Sequence, residues 1–305
     1  VRINPVDLKD FVENNPKLVK RRESKRWPGL YVLKYAANVF YDALWDGHEF
    51  IKYARGLVVD ANYNTIVKPF TKVFNYGENG TTIDRDEECV VVRKVNGFMG
   101  VATYRPLVSN QIIYSTTGSL DSDYVDLIEK HVSQYEDYIK NNPNCSFIFE
   151  ICDETDPHII KEQLGAWLIG ACVYSGSDNG VTETLESVLD HVATVMGCMR
   201  PESFYGIRFS DVVQMSKECN HEGYMVYGNN GTALKIKSPH YLTTKFLARC
   251  NSDKLLDRIA ENKQSRKNID EEYYPLLDAI IADINNFKAL DEQGRISYVE
   301  NFLSK

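Results

Sequence analysis

Several charged residues of this chain stand beside glycine or inside apolar runs, where a side chain can do more than solvate a surface. Lys94 lies in Val90-Val91-Val92-Arg93-Lys94-Val95-Asn96-Gly97-Phe98-Met99-Gly100. Two apolar runs around Asn-Gly are the strongest short-range signal for a β-hairpin. On that reading, the weightier one for this segment alone, Lys94 is a strand residue near a turn. The other reading makes it an amine nucleophile at the end of a buried strand, with Gly97 allowing close backbone approach to a bound group. The two are compatible, because a hairpin can hold a nucleophile rigidly. Ala233-Leu234-Lys235-Ile236-Lys237 alternates strictly, so both lysines share one strand face, fit either to neutralise a phosphate or simply to meet solvent. In Ser146-Phe147-Ile148-Phe149-Glu150-Ile151-Cys152 a single carboxylate stands in an apolar strand. Such a group needs a cation, a metal or a ligand hydroxyl. Glu222-Gly223 opens another strand with a carboxylate, and Arg55-Gly56 and Lys72-Val73-Phe74-Asn75 add two cations upstream.

The motifs for commoner chemistries are missing. The sequence contains no GxxxxGK[ST], GxGxxG after a strand, GxSxG or HExxH, and its six histidines form no ligand-like cluster. Its seven cysteines are odd in number and lack CxxC or zinc-like spacing, so neither a disulfide framework nor a zinc site is expected. With 305 residues, 43% hydrophobic and 26% charged, the composition is that of a globular protein, not a fibrous or disordered one. The formal charge of −8 argues against a protein coated in positive charge to grip nucleic acid, but leaves room for a local basic cleft. No signal-peptide pattern is seen at the start, and the most apolar run, Ala166 to Tyr174, is too short to span a bilayer. The expectation is a reduced, soluble, cytoplasmic protein with no membrane association.

The elements that must position these residues are read as follows. Strands are expected over 31–33, 56–59, 89–95, 111–115, 146–151, 166–174, 223–227 and 233–236, all rich in β-branched and aromatic residues. Helical spacing appears over 5–14, 122–141 and 182–196, with Asp121 or Ser122 as cap of the second. Hairpin-like connections predict an α+β fold of mostly antiparallel sheets with flanking helices. Beyond Pro239 the pattern turns helical, with Pro275 starting or kinking a helix and glycine absent from 232 to 293. Two domains are therefore expected, 1–240 and a small all-helical 241–305. Within the latter Lys245, Arg249, Lys254, Arg258, Lys263, Arg266 and Lys267 form a basic stretch, read first as a solvated helix face and second as an RNA-facing one.

Taken in order, Arg55-Gly56, Lys72-x-Phe74-Asn75, Lys94-Val95-Asn96-Gly97, Ser115-Thr116-Thr117-Gly118-Ser119, Phe149-Glu150, Glu222-Gly223 and Lys235-Ile236-Lys237 resemble the covalent nucleotidyltransferases. Among them the chain is most similar to the ATP-dependent RNA ligases of the phage tRNA-repair type and the ligase domain of fungal tRNA ligases. The resemblance spans roughly residues 30–240. Glu150-Ile151-Cys152-Asp153 followed by Pro157-His158-Ile159-Ile160 resembles the fungal type in particular. Much of the superfamily has Asp where this chain has Asn96; asparagine there is similar to the fungal sequences and is not read as inactivation.

The resemblance implies an ATP-dependent RNA ligase that joins 5′-phosphate and 3′-hydroxyl ends through lysyl-AMP and RNA-adenylate, in RNA or tRNA repair. Lys94 would be the nucleophile, with Lys235 and Lys237 offsetting charge on the α-phosphate. Arg55 and Lys72 would contact the β- and γ-phosphates. Asn96 and Gly97 would adjoin the nucleotide, Gly118 and Ser119 would shape the loop beside it, and Tyr35 would stack on adenine unless it is a core aromatic. Glu150 would hold the ribose or a metal-bound water, and Glu222 would bind Mg²⁺, with Mn²⁺ as an alternative. The implied partners are RNA ends, single-stranded or in a tRNA anticodon loop, met by a monomer in the cytoplasm (the host's, if the source is viral). Two rival readings are a GTP-dependent capping guanylyltransferase, disfavoured by the absence of room for an OB-fold after Tyr241, and a non-catalytic RNA-binding homologue, disfavoured by retention of the lysines and glutamates.

Overall fold

The computed structural model describes residues 1–176 and 178–305. The chain runs α1 (Pro5–Asn14), β1 (Val19–Glu23), β2 (Tyr31–Tyr35), α2 (Ala37–Tyr41), α3 (Glu49–Tyr53), β3 (Arg55–Val59), β4 (Thr65–Val67), β5 (Phe74–Asn75), β6 (Glu88–Arg93), β7 (Phe98–Tyr104) and β8 (Ile112–Thr116). It continues through α4 (Asp123–Val132), α5 (Glu136–Lys140), β9 (Cys145–Cys152), β10 (Gly165–Ser175), β11 (Gly180–Glu183), α6 (Glu186–Met196), β12 (Ser203–Arg208), α7 (Phe209–Glu218), β13 (Gly223–Tyr227) and β14 (Ala233–Lys237). It ends in α8 (Pro239–Cys250), α9 (Asp253–Glu261), α10 (Tyr274–Ala282), α11 (Ile284–Ala289) and α12 (Glu292–Leu303). These elements form two compact units, Val1–Phe74 with Val95–Ser203, and Asn75–Lys94 with Phe204–Lys305.

The first unit is built in layers. One antiparallel sheet has the order β1-β2-β3-β4 and the other β11-β10-β9-β7-β8. Val32, Val58 and Val67 of one sheet share a core with Val101, Ile113 and Ile148 of the other. The far face of the five-stranded sheet is covered by Val125, Ile128 and Val132 of α4, Ile139 of α5 and Leu189 of α6. The far face of the four-stranded sheet is covered by Leu8 and Val12 of α1 and Phe50 and Tyr53 of α3. With both faces covered, β9 is apolar along nearly its whole length, as expected for a fully buried strand.

The second unit has a sheet of order β12-β6-β13-β14-β5, whose β6, β13 and β14 pair antiparallel. Val91, Val226, Leu234 and Ile236 point from it into a core shared with Phe209 and Val212 of α7. Among the described residues no strand follows β14; α8 to α12 enclose a separate core around Phe246, Leu256, Ile259, Leu276, Leu277, Ile280 and Phe287. Pro275 stands in the first turn of α10, where its missing N–H costs no helical bond. The architecture is thus the expected α+β class of antiparallel sheets with a helical C-terminal region.

Three local expectations fail. β6 and β7 do not form a hairpin: β6 pairs with β13, whereas β7 pairs with β8 and β9 in a different sheet. The 182–196 helix begins at Glu186, because Gly180–Glu183 pairs with β10 as β11. The 122–141 helix is broken by a tighter turn over Ser133–Tyr135. Ser122 does occupy the N-cap position, but its side chain makes no cap bond. The Asp121 carboxylate instead receives the Lys25 and Arg26 N–H groups and the Ser24 hydroxyl. All seven cysteines are free thiols. No helix among the described residues is long and apolar enough to cross a membrane.

Candidate active site

Strand register assembles the lysines of the second unit. Val92 pairs with Met225, which pairs with Lys235, so these three positions share one sheet face. One row further, the Lys94 N–H donates to the Gly223 carbonyl at 2.8 Å, and Gly223 pairs with Lys237. Lys94 and Lys237 therefore flank Gly223 in one row, with Lys235 on the same face two residues along. The opposite face carries the apolar residues that anchor the sheet, which is why β14 alternates half-buried lysine with buried Leu234 and Ile236.

The Lys94 ammonium lies 3.0 Å from Glu222 Oε1, its side chain 21% exposed and that of Glu222 7%. An opposite charge at this distance orients the ammonium. Lys237 donates to both carboxylate oxygens of Glu272 at 3.1 Å.

In the first unit, Gly97 lies against β9. A Cβ there would stand 2.2 Å from the Ile151 carbonyl oxygen, so only glycine permits the approach, and the Gly97 N–H donates to Glu150 Oε1 at 3.0 Å. The glycine that resembled a hairpin turn is needed for strand contact instead. Asn96 is buried and structurally committed: its Oδ1 accepts the Ile160 N–H at 2.9 Å, and its own N–H donates to Glu162 Oε1 at 3.2 Å. A groove of about 460 Å³ beside it is lined by Cys152, Asp153, His158, Ile160 and Glu162 among others. Asp153, on the groove wall, is buried and accepts hydrogen bonds from Lys130 Nζ at 2.7 Å and from both the N–H and hydroxyl of Thr155, with His131 Nε2 at 2.6 Å. The Lys130 ammonium and the Thr155 donors hold its carboxyl far below the usual carboxylate range, against the opposing effect of burial.

Arg55 begins β3 opposite Lys34. A Cβ on the next residue, Gly56, would meet the Thr116 carbonyl oxygen at 2.7 Å, so this segment lies directly against the Ser115–Ser119 loop. In that loop Thr116 Oγ1 accepts the Gly118 and Ser119 N–H groups, and the Ser119 hydroxyl accepts those of Asp121 and Ser122. Lys72 Nζ stands 4.8 Å from the Trp45 ring centroid and 5.1 Å from that of Phe74, within cation–π range. Tyr35 meets the same Trp45 edge-on at 4.8 Å, as a member of this aromatic cluster.

Sequence reasoning missed Trp45, Lys34, Glu162 and Glu272. Only Glu272 had a signal, an acidic run at 270–272 complementary to the basic stretch before it. Among the described residues no group of three or more His, Cys, Asp or Glu could hold a metal ion. A magnesium ion that keeps its waters and binds substrate phosphates needs only one or two carboxylates, and Glu222 and Glu150 each fit as one such hard oxygen donor.

A family model described as RNA ligase matches residues 53–246, nearly two thirds of the chain, and the chain belongs to that RNA ligase family. Its fold is similar to that of an archaeal ATP-dependent RNA ligase, with TM-score 0.60 and 12% identity over 96% of this chain and 75% of that one. It is also similar to an Aquifex aeolicus protein named as a candidate ATP-dependent DNA ligase, with TM-score 0.58 and 11% identity over 96% and 76% of the two chains. These likenesses establish the fold. No protein of curated function matches the sequence significantly.

Proposed function

We propose that this RNA ligase uses ATP and that Lys94 carries the AMP. The observation that carries the reading is the row of Lys94, Gly223 and Lys237 with Lys235 on the same face, because it gathers one candidate nucleophile and two phosphate-neutralising cations. An ordinary lysine has a pKa of about 10.4, so on the order of one in a thousand is neutral at pH 7. Lys94 must therefore shed a proton and leave its ion pair with Glu222 before it reacts. Its Nζ then attacks the α-phosphorus of ATP; a P–N bond forms, the bond to the bridging oxygen breaks, and pyrophosphate departs. Lys235 and Lys237 offset the charge growing on the α-phosphate oxygens. Arg55 and Lys72 take the β- and γ-phosphates and align the leaving group.

The AMP passes from Lys94 to an RNA 5′-phosphate, which restores the free amine. An RNA 3′-hydroxyl then attacks that phosphate and displaces AMP, sealing the strand. A divalent cation, Mg²⁺ or Mn²⁺, would supply Lewis-acid neutralisation of the phosphates, with Glu222 and Glu150 as its protein donors. In the same reading Glu150 steadies the ribose side of the nucleotide, Asn96 and Gly97 hold the adjoining loop, and Tyr35 is the candidate to meet the base. The substrate is an RNA end, single-stranded or in an anticodon loop, and the role is RNA repair by a cytoplasmic monomer. Residues 1–240 would form the adenylyltransferase domain and 241–305 a helical domain that contacts RNA.

The test is covalent labelling by α-labelled ATP or GTP with Mg²⁺, read on a denaturing gel. Label from ATP that disappears in Lys94→Ala supports the reading. Label from GTP alone would move the assignment to capping, and no label from either would sink both enzymatic readings.

A further inference from the structure

The ammonium of Lys237 is clamped by a residue of the helical region in the same unit. Glu272, in the single turn Glu271–Tyr273 ahead of α10, accepts from it through both carboxylate oxygens at 3.1 Å. Both side chains are largely shielded, at 13% and 22% exposure. The contact belongs to a chain of charges: Lys245 of α8 reaches Asp270 at 2.6 Å and Glu272 at 3.8 Å, and Arg249 reaches Asp270 at 3.7 Å. Burial would raise the Asp270 carboxyl, but the Lys245 hydrogen bond and the neighbouring cations hold it below its ordinary range.

Lys237, Lys245 and Arg249 thus meet Asp270 and Glu272 in one continuous set of contacts beside β14. A lysine head on a four-carbon stem samples many positions, and a two-oxygen clamp confines it. We propose that Glu272 is a positioning residue for Lys237: it fixes where the ammonium stands during nucleotidyl transfer, so the helical region takes part in the adenylation step. This rests on the reading of Lys237 as a phosphate-facing cation.

The test is the single-turnover rate of AMP labelling on the full chain with Mg²⁺ and α-labelled ATP. Glu272→Ala is expected to slow labelling at saturating ATP by about tenfold, as misplacement of a transition-state contact does, while the ATP concentration giving half-maximal rate moves by less than about twofold. The double variant Lys237→Ala/Glu272→Ala should be no slower than Lys237→Ala alone, the non-additivity of two groups acting as one. Glu272→Gln, which keeps the side-chain shape, should lose rate in the same direction and carries the test if the alanine variant does not fold. Asp278→Asn is the control, because Asp278 pairs with Arg266 at 3.0 Å elsewhere in the helical region and should leave the rate unchanged. Wild-type rates in both Glu272 variants, or a double variant that multiplies the two losses, would overturn the proposal while leaving the ligase reading intact. Failure of the wild-type chain to take label from ATP would remove both.

Discussion

Lys94 and Glu222 are joined twice over: Nζ to Oε1 at 3.0 Å, and through the backbone by the bond from Lys94 N–H to the carbonyl of Gly223, the residue after Glu222. The backbone bond fixes the base of the lysine stem, and the carboxylate fixes its head. On the proposed reading Glu222 turns from this resting pair to the divalent cation, so Glu222→Ala should cut covalent labelling by about 100-fold, the scale of losing a group that supports a metal site. Breaking a largely buried ion pair should also cost about 3 kcal/mol of stability. Labelling kinetics and urea unfolding read the two effects separately.

Gly97→Ala tests the close approach to β9. An added Cβ would meet the Ile151 carbonyl oxygen at 2.2 Å, and backbone cannot give way as a flexible side chain can. A loss of about 1–3 kcal/mol is expected, the usual cost of overpacking, together with slower labelling as the Gly97–Glu150 bond is strained. Gly176→Ala, with nothing within 4 Å of the added carbon, should change stability by less than about 0.5 kcal/mol in the same urea titration.

Asp153 should make stability depend on acid. Its carboxyl is held well below the ordinary range in the folded state, by Lys130 first and then by Thr155. A depressed folded value means the contribution is present above the unfolded value of about 3.9 and lost as the pH falls below it. Asp153→Asn should cost about 2 kcal/mol at pH 7, the scale of hydrogen bonds to a charged group. Urea midpoints of wild type and variant should converge as the pH is lowered from 5 to 3; a constant gap would disprove the assignment.

RNA binding should depend only weakly on salt. Of the basic stretch in the helical region, Lys245 and Arg249 meet Asp270, and Lys263 and Arg266 meet Asp278. Those pairs hold four of the stretch's charges against carboxylates, so only a few phosphate contacts are expected. The slope of log affinity against log salt for single-stranded RNA should be about −2, the value for roughly three contacts. Fluorescence anisotropy between low and physiological salt measures it, and a slope near −6 would contradict the pairing.

Part of the candidate site's geometry was legible because its signals are local. Alternation over 233–237 put Lys235 and Lys237 on one face, and β14 presents them so, with Leu234 and Ile236 buried behind. The lone carboxylate in the apolar run 146–152 was read as needing a cation, a metal or a ligand hydroxyl; Glu150 accepts the Gly97 N–H, a donor outside that set. The hairpin around Asn96-Gly97 was misread because a turn signal states only that the chain can reverse, not which strands then pair. Tyr35 as a core aromatic was one of two readings open to the sequence, but its partner Trp45 and the place of Lys72 over the same ring were not, since both depend on how the intervening segments fold.

What the sequence by itself determined is the inventory: the ordered lysines, glutamates and glycines, the antiparallel α+β class, and the change to helix after Pro239. Each follows from period, propensity or residue type within a few positions. Only the tertiary structure decided that β6 and β7 part into different sheets, that Gly97 serves contact with Ile151, and that Glu222 and Glu272 hold Lys94 and Lys237. Those outcomes depend on which buried faces and charges meet across long stretches of chain. Burial of the sheet faces sets the strand register, and with it the row in which Lys94 and Lys237 flank Gly223.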